Sequence, residues 1–253
     1  MRYSRPWSLA LALGALLIRP AVGHAITVAQ VDDFQAGTTQ GWTNGAGGAS
    51  LANIAGGGPA GALDRYLQVS SGSFGSVPNL ITFNSSQWTG NYALAGVTQI
   101  AMDLKNFGTS ALPIRIAIRE SSGAGYSSSD GVAGGAFILP VDNAWHHWEF
   151  SLSASALAAI GAPQPLATEL TAVPQLRLLS SAVASTSGDL LNAQIGVDNI
   201  TAVPEPATLL TAALGFAVLL IYRCRRSAGR DSIALRRAKA VFIVNSLQRK
   251  HHD

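Results

Sequence analysis

The chain consists largely of short apolar runs separated by glycine, proline, asparagine and serine, a pattern that predicts β-strands joined by turns. In the clearest run, Ile114, Ile116 and Ile118 alternate with small or polar residues. Successive side chains of a strand point to opposite faces, so we expect the three isoleucines in the core. On the other face of this strand, Arg115 and Arg119 are expected to point into water.

Eight runs of this kind predict strands, and turn residues punctuate the intervals between them. The runs begin at Tyr66, Asn79, Thr98, Ile114, Gly135, His147, Gln175 and Gln194. Residues 153–160 instead have a composition typical of a helix, opened by a serine that can cap it. Many short strands indicate an all-β domain, and we predict a jelly-roll β-sandwich over residues 26–202.

The N-terminal residues have the pattern of a secretory signal peptide. Basic residues precede the apolar run Leu9–Ile18, which is too short to span a bilayer comfortably. Gly23 and Ala25 supply the small residues of a cleavage site. We therefore predict that residues 1–25 are removed on export, the alternative being a buried N-terminal helix.

A second apolar run, Leu209–Tyr222, contains no charged residue and extends to 16 residues when it is counted from Ala207. A membrane span usually needs roughly 17–25 residues, so this run lies at the short end of the range. The arginines that follow it favour the cytoplasmic side of a membrane. They are Arg223, Arg225 and Arg226. We predict a single transmembrane helix here, with the preceding chain outside.

The tripeptide Pro204-Glu205-Pro206 precedes this run, and its prolines are incompatible with a helix interior or a central strand. The tripeptide, the apolar run and the arginine cluster follow one another over residues 203–226. In this order they resemble the PEP-CTERM sorting signal. The resemblance implies that an exosortase, a membrane enzyme similar to cysteine transpeptidases, recognises the tripeptide. Cleavage would then move the protein from the inner membrane to the cell surface or extracellular matrix. An ordinary tail anchor is the alternative, and the basic tail 227–253 is left without a role.

The charges divide sharply along the chain. The whole sequence has a formal net charge of +3, but residues 26–206 hold five basic and twelve acidic residues, a formal charge of −7. An acidic exported part without a basic stripe argues against nucleic-acid binding. The single cysteine, Cys224, lies beyond the apolar run, so the sequence excludes a fold held together by disulfides.

Motifs along the exported part resemble, in their order, the galactose-binding-like jelly rolls of carbohydrate-binding modules and laminin-type ectodomains. The motifs are Asp32-Asp33-Phe34 with Gly41-Trp42, Gly56-Gly57-Gly58-Pro59 with Asp64-Arg65-Tyr66-Leu67, Trp88-Thr-Gly-Asn-Tyr92, Trp145-His-His-Trp148, and Val197-Asp198-Asn199-Ile200. The resemblance implies a structural calcium ion bound by acidic residues of the first and last strands. It assigns Asp32 or Asp33, together with Asp198, to this ion, whose preferred ligands are hard oxygens. The alternative is that these aspartates cap turns or face water.

Three tryptophans are candidates for sugar contact, because aromatic faces stack on the C–H surfaces of sugar rings. They are Trp88, Trp145 and Trp148. Burial in the core is the alternative role for large aromatic residues. Trp145 and Trp148 are three residues apart, so a regular strand would point them to opposite faces and only one would serve the core.

The sequence contains no Gly-x-Ser-x-Gly elbow, no His-Glu-x-x-His helix and no phosphate loop. His146 and His147 are adjacent, and adjacent residues of a strand rarely chelate one ion. We therefore predict a non-catalytic surface or matrix protein that binds polysaccharide or mediates adhesion. Two alternatives remain: a structural matrix component without a ligand, and a secreted glycan hydrolase whose carboxyl pair comes from distant parts of the chain.

Overall fold

The computed structural model describes residues 26–44, 49–71 and 79–204. In this part of the chain there are thirteen strands and two one-turn helices. The strands are β1 (Val31–Asp32), β2 (Trp42–Thr43), β3 (Ser50–Ile54), β4 (Tyr66–Ser70), β5 (Ile81–Asn84), β6 (Val97–Asn106), β7 (Leu112–Arg119), β8 (Gly125–Ser128), β9 (Phe137–Leu139), β10 (Trp145–Ser151), β11 (Leu157–Ile160), β12 (Leu176–Ser180) and β13 (Gln194–Pro204). The helices are α1 (Tyr92–Ala95) and α2 (Leu166–Glu169).

The strands form two antiparallel sheets that pack face to face. The first sheet has the order β10-β6-β13-β4-β3, with β1 beside the second half of β13. The second sheet has the order β11-β8-β7-β12-β5-β2, with β9 beside the start of β7. This arrangement confirms the predicted all-β sandwich.

The core lies between the inner faces of the two sheets. Ile100 and Leu104 of β6 contribute from the first sheet, and both side chains are fully buried. From the second sheet, the predicted stripe Ile114, Ile116 and Ile118 of β7 packs into the same cluster, which confirms its assignment to the core. The period-2 pattern of β7 therefore predicts its inner face correctly.

The outer face of β7 differs from the prediction. Arg115 was expected in water, but its side chain is completely buried, and Arg119 is partly buried. The Arg115 guanidinium donates to the carbonyl oxygens of Ser181 at 2.8 Å and Ser128 at 2.5 Å, and it forms an ion pair with Asp130. Arg115 thus supplies donors to carbonyl oxygens at the end of β8 and just after β12, and these groups cover its side chain.

The predicted helix over residues 153–160 is wrong. Residues 153–156 form a turn, and Leu157–Ile160 are the edge strand β11, which pairs with β8. Pairing with a neighbouring strand outweighs the weak helical preference of this segment. The helix α1, which was not predicted, begins where the Asn91 side chain accepts the backbone N–H of Leu94 at 2.7 Å.

The last strand, β13, runs two residues beyond the predicted end of the domain. The prolines were predicted to lie outside any central strand, but Pro204 is buried as the final residue of β13 and pairs with Val97. A proline is tolerated there because the register is irregular between Val203 and Pro204, at the end of the strand. The chain therefore remains part of the sandwich as far as Pro204.

Several predictions concern residues outside the described ranges. These are the signal peptide 1–25, the tripeptide residues Glu205 and Pro206, the apolar run Leu209–Tyr222 and the tail 227–253. Within residues 26–44, 49–71 and 79–204, no helix is long and apolar enough to cross a membrane.

Candidate functional site

Asp32 lies at the end of β1 and faces the interior of the sandwich. Its Oδ2 atom accepts the indole N–H groups of Trp42 at 2.7 Å and Trp88 at 2.6 Å, and the Gln87 side chain donates to its Oδ1 atom at 3.0 Å. Burial raises the pKa of Asp32, and the hydrogen bonds from Trp88, Gln87 and Trp42 partly oppose this rise. The carboxyl group is therefore satisfied by N–H donors and fixes the two indoles in the core.

This network corrects two predictions. Asp32 does not fit a calcium site, because N–H donors occupy both of its oxygens. Trp88 does not fit a sugar-stacking role, because none of its surface is exposed. The sequence could not show either result, since the partners of Asp32 lie 10 and 56 residues away along the chain.

Asp198 is the second buried carboxyl group of this region. It lies opposite Asp103 of β6, so both side chains are on the outer face of the first sheet. The Oδ1 atom of Asp198 accepts the backbone N–H of Asn199 at 2.8 Å, but its buried Oδ2 atom has no hydrogen-bond partner. Buried polar groups normally have a hydrogen-bond partner, and among the described residues this oxygen is one of six buried side-chain atoms without one.

The surroundings of Asp198 are acidic. Burial raises its pKa to about 7, the Asn199 hydrogen bond opposes the rise, and the nearby carboxyl groups of Asp64, Asp103 and Asp33 add to it. Asp103 is itself held by the Asn199 amide at 2.7 Å and by the His147 ring at 2.9 Å. A carboxyl group in such a place either keeps its proton or binds a cation.

Asp198 and Asp33 therefore fit the predicted cation site better than Asp32 does. Within the described residues, no group of three or more His, Cys, Asp or Glu side chains is gathered closely enough to hold a metal ion. An ion at Asp198 would thus need backbone carbonyl oxygens or water among its ligands, as Ca²⁺ accepts.

Sequence reasoning missed two acidic residues of this region, Asp64 and Asp103. Asp103 is the single acid in an apolar strand, and that isolation was the available signal. Asp64 lies in the glycine-rich loop before β4, where its Oδ2 atom accepts the backbone N–H of Ala60 at 2.7 Å and its Oδ1 atom accepts the Gln35 amide at 2.7 Å.

Trp145 lies on the outer face of the first sheet, at the start of β10. Its indole N–H donates to the Gly57 carbonyl oxygen at 3.0 Å, and its ring meets Tyr66 edge-on with 5.3 Å between centroids. The ring also lies over Gly196 of β13, where a Cβ atom would be only 2.7 Å from Cη2 of the indole. A glycine inside a strand often marks such a close approach. The indole is therefore fixed in position while part of its surface remains exposed.

Trp148 points to the other side of β10, as the alternation predicts. It stacks on Phe137 with 4.5 Å between ring centroids, and its indole N–H donates to the Gly135 carbonyl oxygen at 3.2 Å. Trp148 also borders an open cleft of about 420 Å³ beside β10. The other residues that line the cleft are Gln99, Ala133, Gly134, His147, Glu149 and Ser151.

The two adjacent histidines have different partners. The His146 ring is 2.9 Å from Asp142, and its hydrogen bond is the main reason that the pKa of Asp142 is lowered. The His147 ring is 2.9 Å from Asp103 and 3.9 Å from Glu149. The pair therefore belongs to two separate polar groups on the two sides of the strand.

Glu120 and Glu169 form a carboxyl pair at one end of the second sheet. Burial, followed by the charge of Glu120, raises the pKa of Glu169, whereas hydrogen bonds from the Gln164 backbone and the Ser122 hydroxyl lower that of Glu120. The two carboxyl groups are close enough for each to influence the pKa of the other.

Residues 202–226 match the family model of the PEP-CTERM protein-sorting motif. The chain carries a PEP-CTERM sorting signal. It is therefore an exported protein and a substrate of exosortase, as the tripeptide predicts. The PEP-CTERM motif begins inside the folded domain, because residues 202–204 are the end of β13.

The chain is also similar to solved structures of low sequence identity. A family 11 carbohydrate-binding module from Clostridium thermocellum, in complex with a β-1,3-1,4-mixed-linked tetrasaccharide, has 16% identity and a TM-score of 0.46 over 71% of this chain and 97% of its own. An exo-β-agarase has 13% identity and a TM-score of 0.49, and this chain covers 26% of the agarase chain and 71% of itself. A sequence comparison with curated proteins found no match.

Proposed function

We propose that this chain is a non-catalytic protein of the cell surface or extracellular matrix, and that its sandwich binds polysaccharide. The observation that carries the proposal is the position of Trp145 on the outer face of the first sheet. A hydrogen bond to Gly57 and an edge contact with Tyr66 hold its indole, so binding would require little loss of side-chain freedom.

The open cleft that Trp148 borders, farther along β10 from Trp145, offers polar side chains for a sugar. A pyranose ring presents an apolar C–H face and a rim of hydroxyl groups, so it needs an aromatic surface and nearby polar side chains. His147 and Glu149, both about half exposed, and Gln99 line the cleft and offer donors and acceptors for hydroxyl groups. Because the exported part is acidic, we expect neutral polysaccharides to bind better than polyanionic ones.

The location of the protein changes during sorting in this proposal. The apolar run Leu209–Tyr222 anchors the precursor in the inner membrane, with the sandwich outside. Exosortase then acts at the Pro-Glu-Pro tripeptide and releases the sandwich from its anchor to the surface or matrix.

A calcium ion at Asp198 belongs to the proposal as a stabilising ion. It would neutralise the buried carboxyl group, whose Oδ2 atom has no hydrogen-bond partner, and Asp33 is the second acid that fits it. An ion that binds only the folded chain stabilises that state by mass action.

The test of polysaccharide binding is affinity electrophoresis of the detergent-solubilised protein through gels that contain soluble polysaccharides, neutral or acidic. The native chain should be retarded by at least one polysaccharide, and Trp145→Ala should lose most of this retardation. Trp145→Tyr should keep part of it, because an aromatic surface remains. The matched control is Ile138→Ala, which changes an exposed residue of the second sheet.

Equal migration of the native chain with and without every polysaccharide would contradict binding and favour a structural matrix component. Retardation that Trp145→Ala leaves unchanged would place the sugar site elsewhere. Release of reducing sugar during the same incubations would instead support a hydrolase.

A further inference from the structure

The chain leaves the sandwich at a defined end of the first sheet. Pro204 pairs with Val97, which follows the helix α1 after the single residue Gly96. The other end of β13 is Gln194, and ten residue steps of about 3.3 Å place it about 33 Å from Pro204. The two ends of the first sheet are therefore well separated.

Five segments that build the end around Pro204 carry no charged side chain, although Asp32, Glu169 and Glu205 adjoin them in sequence. Backbone hydrogen bonds and strand pairs join the segments that build it, such as Ala29 N–H to the Ala202 carbonyl oxygen and Tyr92 N–H to the Leu170 carbonyl oxygen. These segments lack aspartate, glutamate, lysine and arginine throughout. They are residues 26–31, 85–99, 151–156, 170–175 and 199–204. The rest of residues 26–204 holds eleven acidic and five basic residues, a formal charge of −6.

The same end exposes apolar side chains. Leu94 of α1 is 85% exposed. Val28, which precedes the residue that hydrogen-bonds to Ala202 of β13, is 40% exposed. An open groove of about 440 Å³ lies between α1 and the start of β6, and Val97, Leu152 and Leu170 contribute apolar surface to it. The exposed Leu94 and Val28 and this groove together give the end an apolar surface next to the point where the chain leaves the sandwich.

The length of the chain after Pro204 limits the distance between this end and the membrane. Five residue steps lead from Pro204 to Leu209, where the apolar run begins. Fully extended, they span at most about 18 Å. In an anchored precursor, Pro204 therefore lies within about 18 Å of the hydrocarbon core, which the lipid headgroups extend by several ångströms.

We propose that the uncharged end of the sandwich rests on the membrane surface in the precursor, with Leu94 in the headgroup region. This inference depends on the anchored precursor of the proposed function. A neutral apolar end gains from contact with the interface, whereas the acidic remainder is repelled by anionic headgroups. Both effects orient the strands of the first sheet normal to the membrane surface, with Pro204 nearest the lipid. The outer face that carries Trp145 then remains exposed to solvent.

The experiment places a fluorescent label at each end of the full-length chain. In a Cys224→Ser background, Leu94→Cys or Leu190→Cys supplies the single cysteine, which is labelled with the environment-sensitive dye NBD. Leu190 is the matched control, because it is a leucine, 64% exposed, four residues before β13 begins. The chains are reconstituted in vesicles of phosphatidylethanolamine and phosphatidylglycerol, with or without a headgroup spin-labelled lipid.

The label at position 94 should shift its emission to the blue and lose most of its intensity with the spin-labelled lipid, and the label at position 190 should change little. Quenching of neither label, or equal quenching of both, would overturn the proposed orientation. Extraction with alkaline carbonate tests the anchor separately. A chain that carbonate removes from the vesicles lacks the anchor, and the inference then fails with it, whereas polysaccharide retardation is unaffected.

Discussion

At the scale of single residues, two fully buried charged side chains on outer faces of the sheets have opposite environments. Arg115 is satisfied by backbone carbonyl oxygens and by Asp130. Asp198 has one oxygen without a hydrogen-bond partner and three acidic neighbours. A buried charge is tolerated when it is paired, so Arg115 stabilises the fold whereas Asp198 is suited to a proton or an ion.

The Arg115→Ala variant should lose about 1–3 kcal/mol of unfolding free energy, the range for leaving a buried acceptor without its donor, because the ion-pair partner Asp130 is 58% exposed. The carbonyl groups of Ser128 and Ser181 would lose their donor. Urea denaturation measures the loss. Arg115→Lys should recover only part of it, because lysine lacks the planar fork. A loss under about 0.5 kcal/mol, as is usual at a surface, would show that Arg115 is not buried.

The stability of the protein should depend on pH through Asp198. In chelator, its pKa is about 7 in the folded state, against about 3.9 in an unfolded chain. Between these values the folded state binds more protons, so the contribution of Asp198 to stability falls as pH rises and then levels off above about 7. The advantage of Asp198→Asn over the native chain in chelator should therefore grow up to that pH.

With calcium, the native chain should gain stability relative to Asp198→Asn. At pH values above the Asp198 pKa, added calcium should raise the melting temperature of the native chain and leave Asp198→Asn almost unchanged, since the variant lacks the charge that binds the ion. Thermal unfolding of both proteins, with calcium and with chelator, gives the comparison. An equal calcium response in the two proteins would remove the ion from this site.

At the scale of elements, β13 shows how one bulge sets the positions of several side chains. Ile195 and Val197 point into the core, and after the irregularity at Asn199, which has a φ of 50°, Ile200 and Ala202 point inward instead. The extra residue shifts the alternation by one position. It leaves Asp198 on the outer face opposite Asp103 while both halves of the strand keep their apolar residues in the core.

The Ile116→Ala variant should lose roughly 2–5 kcal/mol of unfolding free energy, because it empties a buried site in the centre of β7. Ile138→Ala removes the same atoms from a β9 residue that is 59% exposed, and it should change stability by no more than about 0.5 kcal/mol. Chemical denaturation of the two proteins under one condition makes the comparison. Similar losses in both would mean that Ile116 does not face the core.

The sequence predicts the inner faces of the strands well, because local alternation determines them, as in Ile114, Ile116 and Ile118. It does not predict which outer faces are covered, because the covering segments are distant in sequence. For this reason Arg115 was wrongly predicted to face water. The same limit applies to Trp88 and Asp32, which meet across 56 residues of chain. The sorting motif is readable because its features are consecutive in sequence.

At the scale of the whole molecule, the sandwich and its PEP-CTERM motif are continuous. The matched residues begin at position 202, inside β13, and Pro204 is buried. The first residue of the tripeptide is therefore part of the folded domain.

Glu205→Ala should block processing and leave a full-length membrane form in a host with exosortase. The matched control is Glu149→Ala, which changes an exposed glutamate of the sandwich and should be processed normally. Intact mass of the released protein and fractionation of the membrane measure both outcomes. Released native protein that still contains Leu209–Tyr222 would contradict cleavage at the motif.

The burial of Pro204 in β13 also has a mechanical consequence. Once the protein is tethered through its C-terminal end, tension enters the fold at Pro204 and runs along β13, a central strand. A polysaccharide held at Trp145 would pull from β10, and the ladder between β13 and β6, from Ile195 to Pro204, lies in the line of force. The hydrogen bonds of that ladder are perpendicular to the strands, so they are strained together in shear rather than opened one after another. The tether would thus be attached where the sandwich resists stretching.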